Sequence, residues 1–186
     1  MRMLAVAATV LLASTAAADF VNEDFEGGVI PAGWTVVDNM GTDLVFDIGP
    51  GFNGSMYSVG FDSDANPGYY DTELWTPVMN LVGVTNPVLD FDAYYEHYIY
   101  DDQFDVDVSY DGGATWANLL AYTDDMGIFH ASVGFDGGSA ETIIRFHYYS
   151  TNDWDWWVWV DDVVVTPTPG ALALLGLAGL VTRRRR

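Results

Sequence analysis

The chain has no cysteine and no lysine, and its 186 residues carry only 6 basic side chains against 27 Asp and Glu. Five of the six arginines stand in the terminal segments, as Arg2, Arg183, Arg184, Arg185 and Arg186, whereas every acid lies between Asp19 and Asp162 with Arg145 as the sole counter-charge. A surface of that sign repels phosphate backbones, which excludes nucleic acid as a partner. The same shortage excludes sites that clamp phosphate or sialic acid with several basic groups and, without lysine, Schiff-base chemistry. No disulfide can staple the fold, so bound cations are the obvious remedy for its self-repulsion. Disorder is the common outcome of such imbalance, but 50% hydrophobic and 15% aromatic residues require a packed core.

The ends read as addresses. Residues 1–18 run from Met1-Arg2-Met3 through an apolar stretch to Ala16-Ala17-Ala18, the pattern of a secretory signal peptide. At the other end, Thr166-Pro167-Thr168-Pro169-Gly170 breaks the chain, Ala171 to Val181 is uninterrupted and apolar, and four arginines follow. As a helix, Gly170 to Val181 would rise about 18 Å, short of the ~30 Å hydrocarbon core. The arginines would hold that end on the cytoplasmic side of a membrane. Residues 167–186 resemble a PEP-CTERM sorting signal of bacterial envelope proteins. The resemblance implies processing by an exosortase-like transpeptidase and a C-terminal membrane helix, although the Glu of Pro-Glu-Pro is replaced by Thr168. A plain tail anchor is the alternative.

Between these ends, residues 19–166 suffice for one domain. Helical periodicity is missing. β-Branched and aromatic runs recur between Gly, Pro, Asn and Asp clusters, and predict strands over 35–37, 74–81, 88–95, 104–110, 117–122, 129–135, 142–149 and 156–165. That spacing predicts an all-β, antiparallel jelly-roll sandwich followed by a short C-terminal apolar helix. Alternation places Phe104, Val106 and Val108 inward with Asp105, Asp107 and Ser109 outward, and Ile144, Phe146 and Tyr148 inward with Arg145 and His147 outward. Arg145 is then most simply one partner of a surface ion pair.

Ser109-Tyr110-Asp111-Gly112-Gly113-Ala114-Thr115-Trp116 matches the Asp-box pattern S-x-D-x-G-x-T-W. It is a structural hairpin, in which the Asp accepts turn N–H groups and the glycines permit positive φ. The domain opens on Glu23-Asp24-Phe25-Glu26 and closes on Val160-Asp161-Asp162-Val163. Carboxylates brought together there would raise one another's pKa unless a hard cation took them as oxygen ligands. Solvated strand-end acids are the other reading.

The order F-E-G-x-x-x-P-x-G-W (25–34), L-x-T-P (74–77), Asp90-Phe91, the Asp-box hairpin, R-F-x-Y and V-D-D-V resembles the choice-of-anchor J family, related to cleaved adhesin and MAM domains. The resemblance implies a galactose-binding-like jelly roll with structural Ca²⁺ between its first and last strands. On this chain Glu26 and Asp161 would be the foremost ligands, with Asp24 and Asp162 next. It also implies an adhesin on the cell envelope or in the extracellular matrix.

Four tryptophans occupy Trp154 to Trp159, and a Tyr-rich acidic segment spans Tyr94 to Asp102. Flat rings beside carboxylates can stack on sugars and accept their hydroxyls, which makes Trp154, Trp156, Tyr98, Tyr100 and Asp153 candidates for binding polysaccharide or surface glycans. Core packing is the alternative. The histidines His97, His130 and His147 show no metalloprotease spacing, and no nucleophile elbow is present. The expectation is a non-enzyme. Its rivals are a secreted glycoside hydrolase using a carboxylate pair and a purely structural surface component.

Overall fold

Alternating burial along β-branched and aromatic segments yields eleven strands in a computed structural model of the chain, which describes residues 19–98, 102–150 and 154–168. Both expected terminal segments fall outside these residues, apart from Pro167 and Thr168. The strands are β1 Val21–Glu23, β2 Thr35–Asp38, β3 Asp47–Pro50, β4 Tyr57–Asp62, β5 Tyr70–Trp75, β6 Val88–Glu96, β7 Gln103–Ser109, β8 Ala117–Tyr122, β9 Gly127–Gly134, β10 Ile143–Ser150 and β11 Trp157–Thr166. One sheet has the order β3-β4-β11-β6-β9, with β1 also pairing β11, and the other has the order β2-β5-β10-β7-β8. Every strand pair is antiparallel. The chain changes sheet at each connection except the β3–β4 and β7–β8 hairpins, and the result is the expected jelly-roll sandwich.

The core lies between the sheets. Phe91, Ala93 and Tyr95 of β6 meet Phe104, Val106, Phe146 and Tyr148 of β7 and β10, and all are fully buried. Phe91 and Phe146 pack edge to face at 5.3 Å. The segment expected as a strand over 74–81 is placed differently. The strand is Tyr70–Trp75, because Pro77 has no N–H to continue a ladder, and only an isolated Met79–Thr142 bridge follows. Strands β1, β3 and β4 were not anticipated. They are short or interrupted by Gly49 and Gly60, where close packing replaces side chains. A Cβ at either glycine would run into the Trp159 indole, which lies across β4 and β3 on the outer side of the sheet.

β11 organises its sheet. Its first half, Trp157 to Val160, pairs with β4, and its last residues, Val163 to Val165, pair with β1 along the same edge. β6 runs along the other edge, with its register broken between Asp161 and Val164. Asp162 sits in that break at φ 50, a bulge that lets one strand serve two successive partners.

Candidate functional site

Three polar constellations stand outside the hydrophobic core. The first forms at the β11 bulge. Glu23 of β1 pairs with Val163, so Asp24 and Glu26 follow directly beside Asp161 and Asp162, while Asp92 of β6 faces Asp161 from the other edge. Asp161 is 1% exposed, and burial, helped by the charges of Asp162 and Glu26, pushes its carboxyl up to about 6, against hydrogen bonds from Ser55 and the Asp162 N–H. Asp162 is also pushed up, by burial first and then by Asp92, Asp24 and Glu26. Three of these acids each take backbone N–H on one oxygen. Glu26 Oε1 accepts from Met56 N at 2.7 Å and Tyr57 N at 3.1 Å, Asp24 Oδ1 accepts from Glu26 N, and Asp161 Oδ1 accepts from Asp162 N. The set is rich in carboxylate oxygen and carries excess negative charge, with His130 Nδ1 2.7 Å from Asp92 Oδ1, a composition that suits a hard divalent ion, but no three of these acids bring one oxygen each within 4.8 Å of one another.

The second constellation lies at the opposite end of β11. Trp157 pairs with both Asp62 of β4 and Glu96 of β6, so the residues just beyond those three strand ends meet there. Asp64, Tyr98, Trp154, Asp155 and Trp156 line a pocket of about 120 Å³. Tyr98 and Trp156 meet edge to face at 5.7 Å, and the Trp154 indole, 57% exposed, is held by its Nε1–H donating to Asp64 Oδ1 at 2.9 Å. Tyr98, Trp154 and Trp156 of the sugar-binding candidates therefore come together. Tyr100 and Asp153 lie outside the described residues.

Beneath this pocket runs a buried polar chain. Tyr70 OH donates to Asp155 Oδ2 at 3.1 Å, and Tyr148 OH and Tyr95 OH donate to Asp102 Oδ2 at 3.3 Å and 3.2 Å. Burial pushes all three tyrosines well up. Asp102 is 1% exposed; burial is the main cause that raises it to about 6, and Asp155 adds to this while His97 opposes it. His97 Nδ1 stands 2.6 Å from Asp102 Oδ1. A carboxyl that holds its proton more tightly when folded favours the folded state at low pH, so this contribution declines as pH rises from about 4 to about 6. Thermal melts of Asp102→Asn should accordingly be flatter than the parent's over that window, by a few degrees. An identical pH slope would show that Asp102 titrates normally.

The third constellation covers the outer face of the five-stranded sheet. Arg145 is not at a surface ion pair. It is embedded between Glu73, whose Oε1 accepts from Nη1 at 2.6 Å, and Asp107, whose Oδ2 accepts from Nε at 2.8 Å, and the three side chains are only 16%, 5% and 6% exposed. Its guanidinium lies 4.5 Å over the Trp116 ring. Trp116 closes the Asp-box hairpin and packs edge to face on Trp75 at 5.1 Å. In that hairpin Asp111 accepts Thr115 N and Oγ1 and the Ser109 hydroxyl, which hold its carboxyl down to about 2. Asp71, Glu73 and His147 bring metal-competent atoms within 4.8 Å of one another. Those oxygens already accept from Asn39 Nδ2, Arg145 and His147, so this trio is a self-satisfied network.

The fold has solved relatives. Two cleaved adhesin domains of Lys-gingipain from Porphyromonas gingivalis superpose with TM-scores of 0.66 and 0.67, at 26% and 22% identity, each over 80% of this chain and 98% of the relative. A carbohydrate-binding module in complex with β-1,4-galactotriose superposes at 0.59 and 14% identity, over 81% of this chain and 99% of that one. No family model and no curated protein matches the sequence. The domain is thus a jelly roll similar to adhesin and carbohydrate-binding domains.

Sequence reasoning missed Asp64, Asp92, Asp102 and Ser55 as site residues. Asp64 and Ser55 flank β4, a strand whose Gly60 hides its pattern. Asp92 is indistinguishable along the chain from any outward strand acid. Asp155, flanked by Trp154 and Trp156, carried a readable signal.

Proposed function

We propose that this chain is an exported cell-envelope or matrix protein whose jelly-roll domain binds glycans through the aromatic pocket at the β4–β11–β6 end. In this reading Ca²⁺ stabilises the domain at the β11 bulge, with Glu26 and Asp161 as principal ligands and Asp24 and Asp162 beside them. The signal peptide, the choice-of-anchor resemblance and the PEP-CTERM-like tail with its exosortase-like processing supply the route of export and attachment. The observation that carries the binding role is the pocket itself. Trp154 is an exposed indole held in one orientation by Asp64, beside Tyr98, Trp156 and the buried carboxylate of Asp155, an amphipathic platform of the kind sugars use. The bound oligosaccharide of a module sharing the fold supports the ligand class. On a glycan array the protein should give signal that Trp154→Ala loses, because an exposed ring can be removed without touching the core. Equal signal from both proteins removes this pocket from the reading.

A further inference from the structure

Deepening that reading, we infer that the pocket selects sugars bearing a protonated amine. Asp155 borders the pocket and is 2% exposed, yet its Oδ1 has no hydrogen-bond partner. Its Oδ2 and N–H are already used, by Tyr70 OH and Ser63 Oγ, so the orphan oxygen is the one acceptor left. A buried carboxylate oxygen without a donor costs free energy that a bound cation would recover. Asp64 adds a second carboxylate on the rim, and neither acid forms an ion pair among the described residues.

The walls decide which cation. A small hard ion needs six or more oxygens, whereas three of the five lining residues among those described are aromatic rings, whose faces attract a softly solvated organic ammonium. Size narrows it further. At about 120 Å³ the pocket is well below the ~300 Å³ at which sites begin to enclose a drug-sized molecule, so it receives a substituent while the rest of the ligand stays outside. The exposed Trp154 ring at the rim offers a flat surface for a pyranose to stack on. A 2-amino-2-deoxy sugar presents both parts: an ammonium for Asp155, Asp64 and the rings, and a ring face for Trp154. Acetylation of the nitrogen would remove the charge and enlarge the group.

The test is titration of the full chain, followed by calorimetry, with a glucosamine hexamer and with its fully N-acetylated counterpart. The amine oligomer should bind about tenfold or more tightly than the acetylated one, with Asp64→Asn and Trp154→Ala each lowering its affinity several-fold and Glu141→Gln, an exposed acid elsewhere, leaving it unchanged. Asp155→Asn should abolish the preference. Should that variant fail to fold, Asp64→Asn and Trp154→Ala decide. Equal affinity for both oligomers overturns the amine inference and leaves the glycan reading standing, while binding of neither overturns both. A pentalysine peptide that competes as well as the hexamer, or a loss in Glu141→Gln matching that in Asp64→Asn, overturns it in favour of diffuse charge attraction.

Discussion

Calcium added to the chelated protein should raise its melting temperature by on the order of 8–16 °C. An ion that binds only the folded state at a thousandfold excess over its Kd stabilises by about 4.1 kcal/mol, and in a domain of this size each kcal/mol moves the midpoint by roughly 2–4 °C. The reason to expect so large a response is the cost of the ion-free bulge. Asp161 is buried, and its carboxyl is lifted to about 6 by that burial, with Asp162 and Glu26 adding to it. Since the folded pKa lies above the unfolded one, the contribution of Asp161 to the stability of the ion-free protein is fullest below about pH 4, declines as pH rises through about 6, and stays at the lower level at pH 7. A divalent ion favours the deprotonated form and reverses that trend, so the calcium increment should be greatest at neutral pH and shrink toward pH 4. Asp161→Asn and Glu26→Gln should both blunt the response. A melt that is unchanged by chelation and calcium re-addition at pH 7 would sink the metal reading.

Replacing Arg145 by alanine should cost about 3–5 kcal/mol, which corresponds to a fall of roughly 6–20 °C. Among the described residues the guanidinium is the only permanently charged cation beside Glu73 and Asp107, both of which are nearly inaccessible to water. Its removal strands two carboxylates on a covered sheet face. Lysine should not rescue it. One ammonium cannot hold Glu73 through Nη1 and Asp107 through Nε while lying flat over Trp116. By contrast, the triple replacement Glu73→Gln, Asp107→Asn, Arg145→Met should recover most of the loss, because it removes the charges together with their desolvation cost. If Arg145→Ala melts within about 2 °C of the parent, the network contributes no more than an exposed surface pair.

The two positions differ in how much of them could be read from the chain. The outward direction of Asp105, Asp107, Arg145 and His147 follows from alternation on β7 and β10, and the structure keeps it. The burial of Arg145 could not be read, because it depends on Trp116 arriving from a hairpin to lie over the guanidinium and on Trp75 of a different strand packing against that ring. Likewise β6, β8 and β10 could be placed from their patterns, whereas β5 was displaced by Pro77, and β1, β3 and β4 lacked enough alternating residues to register. The Trp-rich segment was visible as a candidate, but Asp64, the acid that holds Trp154 in place, lies 90 residues from it along the chain.

By itself the sequence determined the class of fold and the sign of the surface charge, because those follow from composition and from a two-residue repeat that is strictly local. Tertiary structure alone decided which acids meet. β11 pairs with β1, β4 and β6, and antiparallel register then delivers Asp24, Glu26 and Asp92 to one bulge and Asp64 and Tyr98 to the other end. Carboxylates that are equivalent in composition acquire different roles only through the strand ends to which pairing carries them.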